Sequence, residues 1–152
     1  MKKQTVLLTI TALLFLLLLY AGLEKMLDLK AFAKDMGNQP IPRQWVPLLT
    51  YGIPVSEVFT ALLLWTGRTR KWGLYGSLLL MTVFTAYVGM VVMDFFPRKP
   101  CGCGELLKRL SWTQHLVFNV VFTLLVLLGI YLNRQWTNKD ITAGATIRVA
   151  GS

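Results

Sequence analysis

The sequence predicts an all-α membrane protein, a four-transmembrane-helix bundle with a short interfacial helix between spans 1 and 2. Of its 152 residues, 55% are hydrophobic. The mean hydropathy of +0.54 exceeds what a soluble core of this length can use. The apolar residues also fall in long blocks, and a membrane-spanning helix needs roughly 20 such residues in a row. Lipid is therefore the solvent that these blocks predict.

The charge pattern indicates a membrane partner rather than a nucleic acid. The formal net charge is +9, but the basic residues form short clusters between apolar blocks. No basic face or interleaved aromatic stripe follows a phosphate backbone. Flanking positive charges instead orient a membrane protein and contact anionic lipid head groups. We expect contact with the lipid bilayer and no nucleic acid.

The first apolar block, residues 5–23, resembles a signal peptide because Lys2 and Lys3 precede it. No Ala-x-Ala cleavage site follows, so we interpret the block as a retained first span. The mixed segment 24–44 comes next and is broken by glycine and proline at residues 37–40. Apolar spacing there predicts a short amphipathic helix on the membrane surface, built on Leu23, Met26, Leu27, Leu29 and Phe32.

The second and third spans are bounded by prolines and charges. We place the second at residues 46–65, with Pro47 in its first turn and Pro54 bending its interior. We place the third at residues 72–96, since Asp94 and then Pro97 close it.

The fourth span is predicted by its capping residues. Ser111-x-x-Gln114 has the form of a capping box, so the helix should begin at Trp112 and extend to about Leu132. These four spans make one transmembrane domain, 1–132, and residues 133–152 form a polar C-terminal tail to which the sequence assigns no function.

Four spans place both termini on one face, with the segment 24–44 and the loop after the third span on the other. The 16 lysines and arginines divide equally between the faces. The dense cluster of Arg68, Arg70 and Lys71 in one very short loop favours cytoplasmic termini. We therefore expect a bacterial inner (plasma) membrane protein whose third loop faces the oxidising periplasm.

That loop carries the two cysteines of the chain, Cys101 and Cys103, on either side of Gly102. A disulfide over one residue needs a bent backbone, which glycine permits, and should be strained. Strained disulfides exchange readily, whereas so short a ring restrains little chain entropy. The spacing favours redox chemistry over two incidental thiols. A metal site is disfavoured because zinc prefers four ligands and only His115 could join the thiolates.

His115 is the only histidine, about one turn inside the fourth span on the cysteine side, and Asn119 lies one turn further on the same helix face. A histidine here can shuttle protons or stabilise a thiolate. The structural alternative is a histidine that hydrogen-bonds between helices for packing. The two roles are compatible.

Glu57 falls near the middle of the second span, where an ionised carboxylate costs several kcal/mol unless it is paired, hydrated or protonated. Lys25 has a stem long enough to snorkel or to turn toward the bundle interior, and a pairing with Glu57 would place a positive charge on the side of the cysteines. The alternatives are a structural hydrogen-bonding role for Glu57 and interfacial anchoring for Lys25. Tryptophans at span ends indicate membrane anchors, namely Trp45, Trp65, Trp72 and Trp112.

Several of these residues fall in motifs that resemble those of a known family. The motifs are Ala21-Gly22-Leu23-Glu24-Lys25, Pro54-Val55-Ser56-Glu57, Pro100-Cys101-Gly102-Cys103-Gly104-Glu105 and Trp112-x-x-His115-x-x-x-Asn119. In them the chain resembles the MauE/DoxX-type redox-associated membrane proteins, small four-helix bundles. The likeness covers nearly the whole chain except the tail, and its cysteine and Trp/His/Asn portions are the specific part.

The resemblance implies a role beside periplasmic thioredoxin-like proteins. Methylamine-utilisation members serve the maturation of a disulfide-rich dehydrogenase subunit, and relatives on the DoxX side are associated with quinone-linked oxidation of sulfur compounds. Quinone is thus the cofactor that the resemblance suggests, while the residues by themselves establish none.

The sequence leads to one hypothesis and two competitors. Cys101 and Cys103 cycle between dithiol and disulfide with a thioredoxin-like partner, as a thiol-disulfide oxidoreductase or an accessory to one. Nearby cations, Arg98 and Lys99 with Lys25 or His115, favour the thiolate. The first competitor is a non-enzymatic membrane anchor or maturation subunit for a redox partner. A small-molecule transporter, resting on Glu57 alone, is weakened because the four spans contain no internal repeat.

Overall fold

The computed structural model describes residues 2–95 and 111–150, with side chains described for residues 3–95 and 111–135. Over these ranges the chain is helical apart from short connections. The elements are α1 (Lys2–Leu27), α2 (Leu29–Gly37), a 3-10 turn (Arg43–Trp45), α3 (Val46–Trp65), α4 (Arg70–Val92) and α5 (Trp112–Ala150).

Four of the described helices are long and apolar enough to cross a membrane. They are Lys3–Leu27, Arg43–Trp65, Arg70–Val92 and Trp112–Gln135. The predicted four-span architecture, with one short helix between spans 1 and 2, is confirmed.

The four spans form one bundle. α1 packs on α3 and α5, α3 packs on α4, and α4 packs on α5. The core lies between them and consists mainly of aliphatic side chains: Ile10, Leu14, Leu18, Ala61, Leu64, Leu74, Met81 and Val126. Large apolar side chains also cover the outside, such as Leu16, Phe59 and Leu124, each about 60% exposed. Such a surface suits lipid and is rare on water-soluble monomers.

The start of the first span and the end of the fourth lie at the same end of the bundle. Lys3 Nζ donates to Gln135 Oε1 at 3.1 Å, which joins α1 to α5. Arg134 donates to the hydroxyl of Tyr75 near the start of α4 at 2.7 Å. The opposite end therefore carries α2, the end of α4 and the start of α5, as the sequence predicted.

The boundary between α1 and α2 differs from the prediction. α1 continues to Leu27, and Leu23, Met26 and Leu27 belong to it with side chains 44%, 44% and 88% exposed. α2 begins only after Asp28, whose Oδ1 accepts the Ala31 N–H at 3.0 Å. The hydrogen-bonding side chain of Asp28 thus sets the start of the short helix, which begins later in the chain than the spacing of apolar residues predicts.

The third span ends earlier than residue 96, the predicted end. α4 stops at Val92, and Asp94 has a φ of 52° in the left-handed region, where aspartate is tolerated better than most residues. The polypeptide therefore leaves the helix before Pro97 is reached.

The start of α5 agrees with its predicted capping box. The Ser111 N–H donates to Gln114 Oε1 at 2.9 Å, and the Gln114 N–H donates to Ser111 Oγ at 3.3 Å. The helix continues past Leu132 to Ala150, because no proline or glycine pair interrupts it near the end of the fourth span.

Candidate functional site

An ion pair between Lys25 and Glu57 lies inside the bundle. The Glu57 side chain is 1% exposed and that of Lys25 is 11% exposed. Lys25 Nζ donates to Glu57 Oε1 and Oε2, both at 3.0 Å, and to the carbonyl of Ala21 at 3.0 Å. These acceptors use all three donors of the ammonium group. The pairing expected from the sequence is present, and it is fully hydrogen-bonded on the lysine side.

Gly22 lets the two helices that carry this pair approach closely. A Cβ at Gly22 would lie 2.7 Å from Val58 Cγ2, 3.0 Å from the Pro54 carbonyl and 3.2 Å from Glu57 Cβ. Any side chain here would push α1 away from α3. The absence of a side chain at Gly22 is therefore what brings Lys25, one turn further along α1, within reach of Glu57.

α2 covers the ion pair. Phe32 and Met36 are each 5% exposed, and Lys25 Nζ lies 5.9 Å from the centroid of the Phe32 ring. The segment after α2 is tied to α4, because the Tyr87 hydroxyl donates to Gln39 Oε1. These contacts hold the short helix against the bundle.

A cavity of about 230 Å³ lies beneath α2. Its walls are mainly apolar and include Leu18, Ile53, Phe84 and Phe118. A few polar or amphipathic side chains also line it: Lys25, Glu57, Tyr87, Trp112, His115 and Asn119. An apolar cavity with a few convergent polar groups is the usual form of a small-molecule site.

His115 and Asn119 face this cavity from the first turns of α5. The His115 ring stacks on Trp112, with 6.3 Å between ring centroids and 15° between planes. Asn119 is 4% exposed, and its Nδ2 donates no hydrogen bond within the part of the chain that the structure describes. A buried amide without an acceptor is costly and calls for a specific explanation.

The structure thus brings together five of the residues that the sequence singled out, around one cavity: Lys25, Glu57, Trp112, His115 and Asn119. The other predicted residues, Cys101 and Cys103 with Arg98 and Lys99, lie outside the described residues. The described chain stops at Phe95 and resumes at Ser111, after α4 and before α5, at the end of the bundle that holds this cavity.

Sequence reasoning missed Phe32 as a cover of the ion pair, and it missed the contact between Tyr87 and Gln39. One signal was available for Tyr87, since a tyrosine within a span needs a hydrogen-bond partner for its hydroxyl. The partner itself is 48 residues away in sequence. No local pattern indicates it.

The tryptophans divide into two groups. Trp45, Trp65 and Trp72 lie at span ends and are 50%, 72% and 68% exposed, as interfacial anchors are. Trp112 also begins a span, but it stacks on His115 and lines the cavity. Trp112 therefore belongs to the site as well as to the end of its helix.

A match to a family model identifies the family of this chain. The model described as methylamine utilisation protein MauE matches residues 3–132, which include all four spans and every site residue named above. The chain belongs to the MauE family. No curated protein and no solved structure was similar enough to match it. This MauE-family chain is accordingly a multi-pass membrane protein of a family associated with methylamine utilisation.

Proposed function

We propose that this MauE-family chain is a membrane thiol-disulfide redox protein that exchanges electrons through Cys101 and Cys103 with a thioredoxin-like protein in the periplasm. One observation carries the proposal. The segment with the two cysteines joins α4 to α5 at the end of the bundle where Lys25, Glu57 and His115 surround the cavity. The titratable groups that line the cavity thus lie at the end of the bundle where α4 ends and α5 begins.

The exchange is a pair of thiolate attacks. A thiolate of one protein attacks a sulfur of the disulfide of the other, so that one S–S bond breaks and a mixed disulfide forms. The second thiolate of the attacking protein then displaces the partner's sulfur and closes its own disulfide. The attacking dithiol loses two electrons and two protons, and the partner gains them. The relative reduction potentials of the two proteins set the direction of electron transfer.

His115 and Lys25 differ in what they can contribute. All three donors of Lys25 are engaged by Glu57 and Ala21, so its charge is already compensated. His115 has no such carboxylate partner among the described residues, and it lies on the cavity wall in the first turns of α5. We therefore assign proton transfer and support of the thiolate to His115. Lys25 and Glu57 position α1 and α3 around it.

The proposal places the cysteines in the periplasm and both termini in the cytoplasm of a bacterial inner membrane. Labelling of intact cells with membrane-impermeant reagents tests this orientation. A charged maleimide should label Cys101 and Cys103 only after reduction with an impermeant phosphine. Labelling that requires cell lysis would place them in the cytoplasm and overturn the proposal.

Trapping of mixed disulfides tests the exchange itself. Cys101→Ser and Cys103→Ser are each expressed in the native host, and membranes are run on non-reducing gels. One of the two variants should accumulate an adduct with a thioredoxin-like protein, which disappears on reduction. The double variant is the control and should show none. No adduct with either single variant, together with full function of the double variant, would instead identify a non-enzymatic anchor.

A further inference from the structure

The two ends of the bundle differ in charge. Of the acidic side chains that the structure describes, Glu57 is paired with Lys25, and the others lie at the end that holds α2: Glu24, Asp28, Asp35 and Asp94. The opposite end, where α1 begins and the fourth span ends, has no carboxylate among its described side chains. The cations described there are Lys3, Arg68, Arg70, Lys71 and Arg134. This end of the bundle therefore presents positive charge without a counter-ion from the described chain.

A hydrogen bond holds Arg134 of α5 against α4. Its Nη2 donates to the Tyr75 hydroxyl at 2.7 Å, which uses one of the five N–H donors of the guanidinium group. Long side chains in a helix lean toward its N-terminus, which directs the Tyr75 hydroxyl to the turn of α4 that carries Lys71. Lys71 is exposed and forms no ion pair with the described part of the chain. Two cations from different helices are thus brought to one place.

The surface around these cations changes from aromatic to aliphatic toward the membrane interior. Trp72 and Tyr131 flank the two cations and are 68% and 58% exposed. Exposed aromatic rings at span ends mark the level of the lipid head groups. Deeper in the membrane, Leu79 of α4 and Leu128 of α5 are 67% and 43% exposed. The order of charge, aromatic ring and aliphatic side chain matches the order of phosphate, glycerol ester and acyl chain in a phospholipid.

We infer that Lys71, Tyr75 and Arg134 form a binding site for the phosphate of a phospholipid with a net negative head group. Arg134 and Lys71 donate charge-assisted hydrogen bonds to the phosphate oxygens, and Tyr75 positions Arg134. The acyl chains lie on the apolar surface of α4 and α5 that includes Leu79 and Leu128.

The head group is specified by charge. Basic pockets between transmembrane helices are suited to anionic lipids. Because two cations face one phosphate, a head group that carries its own ammonium is repelled, and an anionic lipid is preferred over a zwitterionic one. A free phosphate ion would leave the aliphatic part of the surface unused. The inference depends on neither the cysteines nor the proposed redox function.

Lipid titration followed by native mass spectrometry of the purified full-length chain tests the inference. The probes are dioleoyl phosphatidylglycerol and dioleoyl phosphatidylcholine, which share their acyl chains. The first phosphatidylglycerol should bind wild type about fivefold more tightly than phosphatidylcholine, and Lys71→Met should remove about this preference. Lys30→Met is the matched control, since it removes the same charge from the exposed side of α2 at the other end. It should leave phosphatidylglycerol affinity unchanged.

Tyr75→Phe distinguishes a built site from general charge attraction. It keeps the net charge and the aromatic ring and removes only the acceptor that positions Arg134. Phosphatidylglycerol should bind about three- to tenfold more weakly, while phosphatidylcholine binding stays unchanged. Tyr51→Phe, at a side chain of α3 that is 62% exposed, is the control and should bind both lipids as wild type does. Both variants should unfold at the wild-type temperature, because each hydroxyl lies on the surface.

Three results would overturn the inference. Equal affinity of wild type for the two lipids would remove the preference for negative charge. Wild-type affinity of Tyr75→Phe, or equal losses in Lys71→Met and Lys30→Met, would show attraction to the net charge of the protein alone. Displacement of phosphatidylglycerol by an equal concentration of inorganic phosphate would show a site for the free ion. The double variant of Cys101→Ser with Cys103→Ser should bind phosphatidylglycerol with wild-type affinity, so this test and the trapping of mixed disulfides can fail separately.

Discussion

Lys25 Nζ lies 3.0 Å from both carboxylate oxygens of Glu57, across the interface between the first and second spans. The carboxylate is almost fully buried, and the ammonium also donates to the carbonyl of Ala21. The pair therefore joins α1 to α3 at one fixed relative position. It also forms part of the cavity wall, so the geometry of the site depends on it.

Removing either charge of this pair should destabilise the folded protein. Lys25→Met leaves a buried carboxylate without its counter-ion, and Glu57→Gln leaves a buried ammonium. Each should lower the free energy of unfolding in detergent micelles by about 3–5 kcal/mol. The double variant should cost clearly less than the sum of the two, because neither charge remains. Lys30→Met, on the exposed side of α2, is the control and should change stability by less than about 0.5 kcal/mol. Simple additivity of the two single changes would contradict coupling.

The close approach at Gly22 gives a second prediction. Gly22→Ala places a Cβ against Val58 Cγ2 and the Pro54 carbonyl, so it should destabilise the bundle by about 1–3 kcal/mol despite the better helix propensity of alanine. Val58→Ala should recover part of this loss in the double variant, since the nearest clashing atom is removed. Thermal unfolding of the purified chain measures both.

Gly52→Ala is the matched control for that prediction. Gly52 lies in α3, and a Cβ there would meet nothing within 4 Å. The change should be neutral or stabilising by up to about 1 kcal/mol. Equal effects at Gly22 and Gly52 would show that helix propensity, and not the crossing of α1 and α3, governs both positions.

The contact between Tyr87 and Gln39 should control how firmly α2 is held. Tyr87→Phe removes the hydroxyl that donates to the buried Gln39 side chain, at an expected cost of about 0.5–1.5 kcal/mol. Amide hydrogen exchange should rise over residues 29–41 and stay unchanged in α3. Tyr131→Phe, at a side chain that is 58% exposed, should leave exchange over residues 29–41 as in wild type. If both variants behave alike, the hydrogen bond does not hold α2.

Local sequence patterns predicted the spans well because each depends on its own residues. The capping residues gave the start of α5, and the lengths of the apolar blocks gave the four helices. The pairing of Lys25 with Glu57 can also be predicted from the sequence, because a carboxylate within a span needs a partner and few cations can reach it. Electrostatic necessity made this one long-range contact predictable.

The rest of the site depends on packing between distant segments. That α2 would lie over the pair with Phe32 buried, and that a space would remain beneath it, follows from how four helices fit together. The sequence predicts too late an end for α4 because Pro97 is its clearest stop signal, whereas the chain already leaves the helix at the left-handed Asp94. Asn119 was identified as a neighbour of His115, but its unsatisfied amide appears only once its surroundings are known.

The capping box at the start of α5 should determine the order of the first turn, where Trp112 and His115 lie. Ser111→Ala removes the acceptor of the Gln114 N–H and should cost about 1 kcal/mol. The loss should be local, with faster amide exchange at residues 112–115. Ser111→Asp is the control, since aspartate also caps helices well, and should behave as wild type. Equal exchange in all three proteins would show that tertiary contacts alone order this turn.

Substitution of His115 tests the proposed proton transfer during thiol-disulfide exchange most directly. His115→Gln keeps a polar side chain of similar length but cannot carry a proton in the neutral pH range. If His115 accepts or delivers protons during thiol-disulfide exchange, the rate of mixed-disulfide formation should fall by about 10²-fold, and the pH dependence near neutrality should flatten. Quenched-flow assays of mixed-disulfide formation with the thioredoxin-like partner, run across a pH series, measure both the rate and its pH dependence. A purely packing role would lower thermal stability yet leave the shape of that pH profile unchanged, so the profile, and not the rate alone, decides between the two.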